Sequence, residues 1–578
     1  MENASEQPQI NKKSIFSLLG PYRGSIAILA AVSVASSGLG LVLPKIVSHA
    51  IDAFIHQTFD VHKFVFEYGA IILLIAVLAY FQSFVQSYTS ERVARDLRNT
   101  VAKKISEQSY SFIEKVTPSK LLTNLTSDVD SIKMFVGQAI ATLISSLVIV
   151  VGAAIILLTI NWKLGLAVLA VVPIIGILFS FIFSRVRVLM KKSREIIDWL
   201  NKVINESILG ASLVRVLYSE KEEIEKFKDA NQKARETGLK ILNMFASLIP
   251  AITFIANLAI LIVLALGGKF VIASNMTLGD FSAFNSYIFL LIFPLLMIGI
   301  MSSIISQSQA AYERIQEVLD APPEKEGGTV KGELKGNIEL THISLNYGEK
   351  EVLKDISFKV LPRSKTAIIG PTAAGKTQLL YLLTRLMEPT SGEILYDGVN
   401  ISEYETENLH KQIGFVFQDS IIFNLTLREN IAFGGKGSRE NLDKAIITAE
   451  LSDFVLSLPQ GLDTIISERG SSLSGGQKQR IMLARALALN PKILLLDDFT
   501  ARVDSKTEQK ILENVQKNYP EVTLVSVTQK IASIEKYDQV ILMEEGQVVA
   551  SGTHAELLKS SPEYIQIYDS QKSTSRYE

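Results

Sequence analysis

The residues with the clearest chemistry form a glycine-rich turn that ends in lysine and threonine. Positions 370–377 read Gly-Pro-Thr-Ala-Ala-Gly-Lys-Thr, directly after an apolar run typical of a strand and directly before a helical pattern. Glycines let backbone N–H groups curl around a polyphosphate, and a helix N-terminus adds partial positive charge. We therefore expect Lys376 to reach the outer phosphates and Thr377 to offer its hydroxyl to Mg²⁺. The candidate nucleotide-binding residues of this turn are Gly370, Pro371, Thr372, Ala373, Ala374, Gly375, Lys376, Thr377 and Gln378.

A carboxylate far downstream completes the predicted site. The sequence Ile-Leu-Leu-Leu at 493–496 is typical of a buried strand, and Asp497 follows it directly. In nucleotide sites that begin with such a phosphate loop, an acid in this place holds Mg²⁺. Asp497 alone would be a weak indication, and the phosphate loop gives it weight.

A second glycine-rich segment lies between these two. It comprises Leu473, Ser474, Gly475, Gly476 and Gln477 and is followed by a helical pattern. Serine and glycine N–H groups at a helix start form another anion cradle, too far along the chain to be part of the first. The alternative is a plain glycine-rich turn.

Composition restricts the class of protein. Of 578 residues, 48% are hydrophobic and only 20% are charged, so a large part of the chain is expected outside water. The 58 basic and 59 acidic residues give a net charge of -1, which argues against a nucleic-acid partner. Cysteine is absent, which excludes disulfides, thiolate catalysis and cysteine-ligated metals.

The apolar surplus is concentrated in the first half of the chain. Six runs approach or reach the roughly 20 helical residues that cross a hydrocarbon core of about 30 Å. Because helices satisfy their own backbone groups in lipid, a bundle of six transmembrane helices is predicted. Buried helices of a large soluble protein are the alternative. The predicted spans lie at 26–43, 68–84, 140–160, 164–183, 244–266 and 281–304.

The connections between the runs predict the orientation in the membrane. Those after the second and fourth runs are long, helical in pattern and rich in lysine and arginine, whereas the other three are shorter and less basic. The positive-inside bias then puts the long connections and both termini in the cytoplasm. We expect the spans to continue as helices far into the cytosol.

A breaker-rich stretch at 322–328 separates this half from a different pattern. Beyond it, short β-type runs at 364–369, 413–417, 492–496, 522–527 and 539–543 alternate with helical segments, as in an α/β domain with a largely parallel sheet. The predicted organisation is a membrane domain at 1–320, a linker at 321–336 and a nucleotide-binding domain at 337–578.

Together these features resemble one half of an ABC exporter, a six-span membrane bundle with long cytoplasmic extensions fused to an ATP-binding cassette. The resemblance covers about residues 15–567 and implies ATP and Mg²⁺ as ligands and a second half-transporter as partner. In this family two cassettes close head to tail, so the signature of one chain caps ATP held by the other. Short helices at 119–124 and 210–216 would dock on the cassettes.

Further positions match the family pattern. Tyr347 resembles the aromatic residue that stacks on adenine, and Gln418 resembles the glutamine that contacts Mg²⁺. Asp504 matches the aspartate at the subunit seam. Residues 467–470, Ser-Glu-Arg-Gly, resemble the loop that relays motion to the bundle, and 552–557 match the closing segment.

Two positions depart from the pattern where it carries catalysis. The family places a glutamate after the Mg²⁺ aspartate to polarise the attacking water, and this chain has Asp498. It later places a histidine at the γ-phosphate, and this chain has Gln529. Loss of general-base assistance typically costs roughly 10²- to 10⁴-fold. Ala373 for glycine and Gln378 for serine or threonine are milder departures in the phosphate loop.

The pair of departures resembles the degenerate half of heterodimeric ABC exporters. The hypothesis is an exporter subunit of the cell membrane that binds ATP, hydrolyses it slowly, and lends its signature to a competent site on another chain. The alternative is a homodimeric ATP-gated channel or a regulatory module without productive hydrolysis. Apolar spans weakly favour an apolar or amphipathic small molecule, lipid or peptide as cargo.

Overall fold

The computed structural model describes residues 14–323, 327–348, 350–434, 438–467, 470 and 472–574. Internal contacts group the chain into two compact units. The first contains the chain up to Ser106 together with Pro118–Ala321, and the second contains Glu107–Thr117 and the chain from Pro322 onward. A short segment from within the first half of the sequence therefore packs with the second unit. Glu324–Glu326 of the predicted linker lie outside the described residues.

Within the described residues, the first unit contains six helical segments that are long and apolar enough to cross a membrane, as predicted. Each predicted run lies inside one of them. They are named span one to span six and run Ile15–Ile55, Val61–Ser106, Pro118–Ile160, Trp162–Leu209, Glu220–Ile272 and Leu278–Leu319.

The spans are 41 to 53 residues long, about twice what a hydrocarbon core requires, so each continues well beyond it. Span three contains π-helical turns at Asn124–Asp128 and Phe135–Ala139, and span five contains one at Val263–Gly267. The α-helices of this unit are Arg23–Ile55, Val61–Ser106, Pro118–Thr123, Val129–Met134, Ile140–Ile160, Trp162–Leu169, Val171–Leu209, Ala211–Val216, Glu220–Ile262, Gly268–Ile272 and Leu278–Leu319.

Span six is tied to two neighbours by polar contacts. The Tyr287 hydroxyl donates to the Leu41 carbonyl of span one at 2.7 Å. Arg314 donates to the carboxylate of Asp128 in span three, with Nε 3.0 Å from Oδ2, and Asp128 is buried. Since a buried carboxylate is costly without a partner, this ion pair fixes spans three and six together.

The second unit contains two sheets. Their strands are β1 (Ile338–Tyr347), β2 (Lys350–Val360), β3 (Lys365–Ile369), β4 (Ser391–Tyr396), β5 (Val399–Asn400), β6 (Ile413–Val416), β7 (Ile493–Asp497), β8 (Thr523–Val527), β9 (Gln539–Glu544) and β10 (Gln547–Gly552). A four-stranded antiparallel sheet has the order β2-β1-β4-β5, and a six-stranded sheet has the order β10-β9-β3-β8-β7-β6.

The six-stranded sheet is parallel except for the β10–β9 pair. Five of its strands, β3, β6, β7, β8 and β9, match the five predicted β-type runs to within about two residues, whereas β10 was not predicted. The predicted fold class is confirmed. The antiparallel sheet was not predicted, although β1 alternates buried and exposed residues over most of its length. Apolar side chains from both faces of the parallel sheet enter two buried clusters.

Short helices cover the sheets. They run Tyr110–Val116, Lys376–Leu383, Thr406–Gln412, Leu427–Ile431, Arg439–Thr448, Ser452–Ser457, Gly475–Ala488, Ser505–Asn518, His554–Ser560 and Pro562–Thr574. The loop after β6 is held by Asn430, which is buried. Its Nδ2 donates to the carbonyls of Phe423 at 3.0 Å and Thr426 at 3.1 Å, and its Oδ1 accepts the Phe423 N–H at 3.0 Å.

Asn430→Ala should destabilise the second unit by about 2 kcal/mol, because several buried backbone groups lose their partner at once. For a unit of this size that corresponds to a midpoint about 5 °C lower in thermal unfolding of the purified full-length chain. Asn441→Ala, at a half-buried position in the first turn of helix Arg439–Thr448, is the control and should change stability by less than about 0.5 kcal/mol. Equal midpoints for the two variants would contradict the role given to Asn430.

Candidate nucleotide-binding site

The phosphate loop follows β3 and leads directly into helix Lys376–Leu383. Gly370 and Gly375 adopt φ angles of 149° and 92°, which side chains rarely allow. A Cβ on Gly370 would collide with the Met543 carbonyl oxygen, and one on Gly375 with the Leu353 side chain. The loop therefore needs glycine at both places, and its curled backbone leads into a helix N-terminus.

Lys376 lies across this loop and is buried. Its Nζ donates to the carbonyls of Gly370 at 2.8 Å and Pro371 at 2.7 Å. Burial lowers the pKa of Lys376, and the charges of Asp498 and Asp497 oppose that shift. A cation is thus held inside the loop, at the position where the sequence places the contact to outer phosphates.

Ala373, which stands where the family has glycine, adopts a backbone conformation that favours glycine. Its φ is 67°, in the left-handed region where glycine is at ease and a Cβ costs about 1 kcal/mol or more. The backbone keeps the shape that a glycine would give it. The alanine therefore adds strain to the loop rather than a different path.

Asp497 ends β7 and is buried. Burial raises its pKa to about 6, a hydrogen bond with Thr377 lowers it, and the neighbouring Asp498 charge raises it. In the part of the chain that the structure describes, Asp497 Oδ2 has no hydrogen-bond partner. A buried carboxylate oxygen beside a hydroxyl is what a hard divalent cation requires, so the site fits Mg²⁺.

The described residues contain no group of three or more His, Cys, Asp or Glu side chains able to hold a metal by themselves. Mg²⁺ bound here would be shared between protein and phosphate oxygens, where it would neutralise charge that develops on the phosphates. Gln418 is exposed and follows β6, whose Val416 lies opposite Leu496 of β7. It therefore stands at the same sheet edge as Asp497, and its carbonyl accepts from Gln479 Nε2 at 3.2 Å.

Tyr347 lies at the end of β1 with 40% of its surface exposed, as a stacking platform would require. Its hydroxyl donates to Met387 Sδ at 3.2 Å. Burial raises the pKa of Tyr347 to about 12, with smaller contributions from Glu114 and Tyr110. Both of these neighbours belong to the segment from the first half of the sequence that packs with this unit.

That segment contains the helix Tyr110–Val116, which begins at the N-cap Ser109. The Tyr110 ring meets the Tyr381 ring edge-on, with centroids 5.3 Å apart, and Tyr381 lies on the helix that follows the phosphate loop. The docking helix predicted at 119–124 was placed too late, because residues from Pro118 onward pack with the membrane unit. The helix that contacts the cassette ends before Thr117, whose φ of 73° is not helical.

Asp498 and Gln529 follow adjacent strands at the same sheet edge. Asp497 lies opposite Val527 in the β7–β8 register, and the Asp498 N–H donates to the Val527 carbonyl at 3.0 Å. Burial raises the pKa of Asp498, while the Lys376 and Lys530 ammonium groups lower it. Gln529 is exposed two residues beyond Val527. The topology thus brings the two departures together beside the phosphate loop.

The signature segment begins helix Gly475–Ala488. Ser474 and Gln477 form a capping box, in which Ser474 Oγ accepts the Gln477 N–H at 3.2 Å and Gln477 Oε1 accepts the Ser474 N–H at 2.8 Å. The first-turn N–H groups of Gly475 and Gly476 point away from the helix, as in any helix start. A Cβ on Gly476 would collide with the Arg502 carbonyl oxygen, so space requires glycine there, whereas a Cβ on Gly475 would meet only the Arg502 side chain.

The signature and Asp504 line one cleft of about 450 Å³ together with Arg502. Asp504 is also the N-cap of helix Ser505–Asn518, where its carboxylate accepts the Thr507 N–H at 2.9 Å and its pKa is lowered by that hydrogen bond. Leu473 is half-buried and packs on the core. Of the predicted loop before the signature, Glu468 and Arg469 lie outside the described residues.

Sequence patterns did not predict several residues of the site. Lys530 and Gln479 contact the site loops, and Tyr110 and Tyr381 form the docking contact. The spacing of Ser474 and Gln477 is that of a capping box, which predicts the start of this helix. The others carry no motif, because only folding brings them to the site.

Comparisons with known proteins identify the family of the chain. The family model for the ABC transporter transmembrane region matches residues 26–295, and the ABC transporter model matches residues 353–501. The chain is 32% identical over 563 residues, 96% of its length and 98% of the relative's, to the uncharacterized ABC transporter ATP-binding protein YfiB of Bacillus subtilis. It is 29% identical over 548 residues, 94% of its length and 92% of the relative's, to the ATP-dependent lipid A-core flippase of Burkholderia thailandensis.

Among solved structures, a bacterial Atm1-family ABC exporter with ATP bound superposes with a TM-score of 0.77. That match covers 96% of this chain and 99% of the other at 24% identity, and shows a common fold. Six apolar spans joined to a phosphate-binding cassette define a membrane transporter driven by ATP. The chain belongs to the ABC transporter family and is an exporter-type half-transporter, with its membrane domain and cassette in one polypeptide.

Tyr347→Ala should weaken ATP binding about tenfold or more, since stacking of a base on an aromatic ring contributes about 1–3 kcal/mol. Tyr347→Phe keeps the ring and should bind ATP within about twofold of the native chain. Calorimetric titration with ATP and with inorganic triphosphate separates the two contributions. A loss of affinity for triphosphate as large as that for ATP would exclude base stacking by Tyr347.

Proposed function

We propose that this chain is the degenerate-site half of a heterodimeric, ATP-driven exporter. The observation that carries the proposal is the pair Asp498 and Gln529, which replace a glutamate and a histidine in a site whose other parts are intact. Lys376, Thr377 and Asp497 bind and orient the phosphates and Mg²⁺, and Tyr347 supports adenine. ATP is held here and hydrolysed slowly, while the partner's site does most of the hydrolysis.

Asp498 is a poor general base for a geometric reason. Its side chain is a methylene shorter than glutamate, and a base must lie about 2.6–3.2 Å from the proton it accepts. The backbone cannot supply the missing reach. Asp498 sits in a left-handed turn with φ 45°, and its N–H is bonded to the Val527 carbonyl.

Gln529 removes a second contribution at the same sheet edge. An amide can donate a hydrogen bond to a phosphate oxygen, but it cannot carry the charge of an imidazolium. Binding of ATP therefore survives the replacement better than stabilisation of the charge that builds up during phosphoryl transfer. Both replacements act on one site and spare the signature.

The signature of this chain serves the competent site. The helix start at Gly475 and Gly476 and the carboxylate of Asp504 line one accessible cleft, which is the surface that another cassette's ATP would meet. In a head-to-tail pair, this cleft lies over the partner's phosphate loop. The chain thus contributes to hydrolysis mainly through a site whose phosphate-binding half belongs to another subunit.

A pair also accounts for an exposed helix in the first unit. The second docking helix was predicted at 210–216, and the structure has a helix at Ala211–Val216. Apolar side chains around it are highly exposed, with Val216 at 76% and Leu209 at 77%. Because this end lies beyond the hydrocarbon core in the proposed orientation, with both termini cytoplasmic, a protein surface must cover it. The partner's cassette is the proposed surface.

The proposed cargo is apolar or amphipathic, a small molecule, lipid or peptide, that leaves the bilayer or the cytosol through the bundle. The spans present apolar side chains in bulk, and a relative over almost the whole chain is named a lipid A-core flippase. Asn285, a polar residue of span six, donates to the Phe281 carbonyl of its own helix at 3.2 Å. That bond favours a structural role for Asn285.

Restoring the missing groups should restore catalysis. The double variant Asp498→Glu with Gln529→His should raise ATP turnover at this chain's site by roughly 10²-fold or more, by recovering general-base and charge contributions. Turnover is measured in the assembled complex whose other site is silenced in its own phosphate loop. Asp498→Asn with Gln529→His is the matched control, because it restores the histidine without a base. Unchanged turnover in the double variant would refute the degenerate-site assignment.

The chain purified alone should bind ATP and turn it over roughly 10²- to 10⁴-fold more slowly than the pair. Phosphate release is measured for both samples, and light scattering at the same protein concentration gives the mass of each complex. Vigorous hydrolysis by a homodimer would overturn the proposal. A homodimer that conducts ions or solutes on ATP binding without hydrolysis would instead identify the ATP-gated channel.

A further inference from the structure

The C-terminal helix Pro562–Thr574 contacts the backbone beside Gln529 through one side chain. Gln571 Oε1 accepts the Ile531 N–H at 2.9 Å, and Gln571 Nε2 donates to the Gln529 carbonyl at 2.5 Å. The two bonded backbone groups lie on either side of Lys530. A side-chain amide is suited to this contact because it donates and accepts from adjacent atoms.

The helix that carries Gln571 is firmly anchored at its other end. Tyr564 is fully buried, and its oxygen lies 2.6 Å from His554 Nδ1. Ile531 is buried in the core cluster that also contains Tyr564. Since both sides of the contact are fixed, the amide of Gln571 holds the segment after β8 at a defined distance from the C-terminal helix.

Lys530 connects this contact to the turn that carries Asp498, the other position that departs from the family pattern. Its Nζ donates to the Thr500 carbonyl at 3.0 Å and to Glu508 Oε2 at 3.4 Å. Thr500 lies two residues after Asp498, and Glu508 is buried. A continuous path of hydrogen bonds therefore joins Gln571, the backbone at 529–531 and the turn that begins at Asp498.

We propose that Gln571 is a positioning residue of this chain's ATP site, which sets the place of Gln529 and Asp498 at the terminal phosphate through the backbone around Lys530. The role rests on the proposed function, which places those two side chains at the phosphate. It adds to the proposed function the influence of a residue that lies outside the sheet edge with Asp498 and Gln529. The C-terminal helix thereby influences how long ATP stays bound.

A purely structural tie predicts something different. The segment 529–531, helix Ser505–Asn518 and the C-terminal helix surround a cleft of about 1060 Å³, so loss of one contact could loosen the helix without moving the site. Such a loss would lower thermal stability and leave nucleotide kinetics unchanged. The two roles therefore differ in the release rate of ATP at equal stability.

The test uses the full-length chain in the assembled membrane complex. Gln571→Leu keeps the shape of the side chain and removes both bonds, and Gln571→Glu keeps only the acceptor for the Ile531 N–H. Gln509→Ala is the matched control, because Gln509 lines the same cleft and its amide donates to Glu513 of its own helix at 2.9 Å. Bound radiolabelled 8-azido-ATP is chased with ATP and photocrosslinked at intervals, so that label on this chain alone is followed.

We expect release from Gln571→Leu to be about tenfold faster, the effect of roughly one net hydrogen bond, with Gln571→Glu between it and the native chain. Thermal midpoints of the variants are measured in parallel, and Gln509→Ala should match the native chain in release rate. Native release from Gln571→Leu, whatever its midpoint, would overturn the positioning role.

A second readout separates this inference from the proposed function. Gln571→Leu is added to the double variant Asp498→Glu with Gln529→His, where it should cut the recovered turnover by about tenfold. If the double variant gains turnover and Gln571→Leu leaves that gain intact, the positioning role fails and the degenerate-site proposal stands. If the double variant gains nothing, the degenerate-site proposal fails, and the release rate still decides the role of Gln571.

Discussion

The candidate site depends on the register of three neighbouring parallel strands. Ile368 of β3 pairs with Val527 of β8, and Val527 pairs with Asp497 of β7. Because parallel strands end at a common edge, the phosphate loop, the metal-binding acid and the segment with Gln529 must emerge side by side. These groups lie up to about 160 residues apart in the sequence, so strand pairing is what makes them one site. A register shift by a residue would turn Asp497 away from Thr377.

The same edge shows how binding and hydrolysis separate. Binding residues act through backbone N–H groups, a lysine and an acid that the loop geometry fixes, and they tolerate Ala373 at a modest cost in strain. Hydrolysis needs a base at the right reach and a charge that follows the phosphate, and both depend on single side chains. On the proposed function, Asp498 and Gln529 replace those side chains on strands that still bring them beside the phosphate loop. Such a cassette would lose catalysis and keep its affinity for nucleotide.

Local patterns predicted the parts of the structure that are encoded locally. Apolar runs predicted the six spans of the described residues and the strand that ends in Asp497, and the glycine motif predicted the turn between β3 and a helix, because each depends on consecutive residues. The docking helix was misplaced since the residues on both sides of Thr117 form helices, and packing such as that of Tyr110 on Tyr381 places the first of them with the second unit. The sequence could not predict the contact of Gln571, because a helical glutamine that faces solvent and one that contacts a backbone segment cannot be told apart in sequence.

The cassette is a discontinuous unit, since Glu107–Thr117 packs with the residues from Pro322 onward. A soluble fragment that starts at the linker would leave the aromatic surface of Tyr381 and Phe415 without the Tyr110 ring. Such a fragment is a poor stand-in for the complete chain in studies of nucleotide affinity. During synthesis the helix at Tyr110–Val116 leaves the ribosome long before its binding surface exists, so the cassette can finish folding only by a contact between distant parts of the chain.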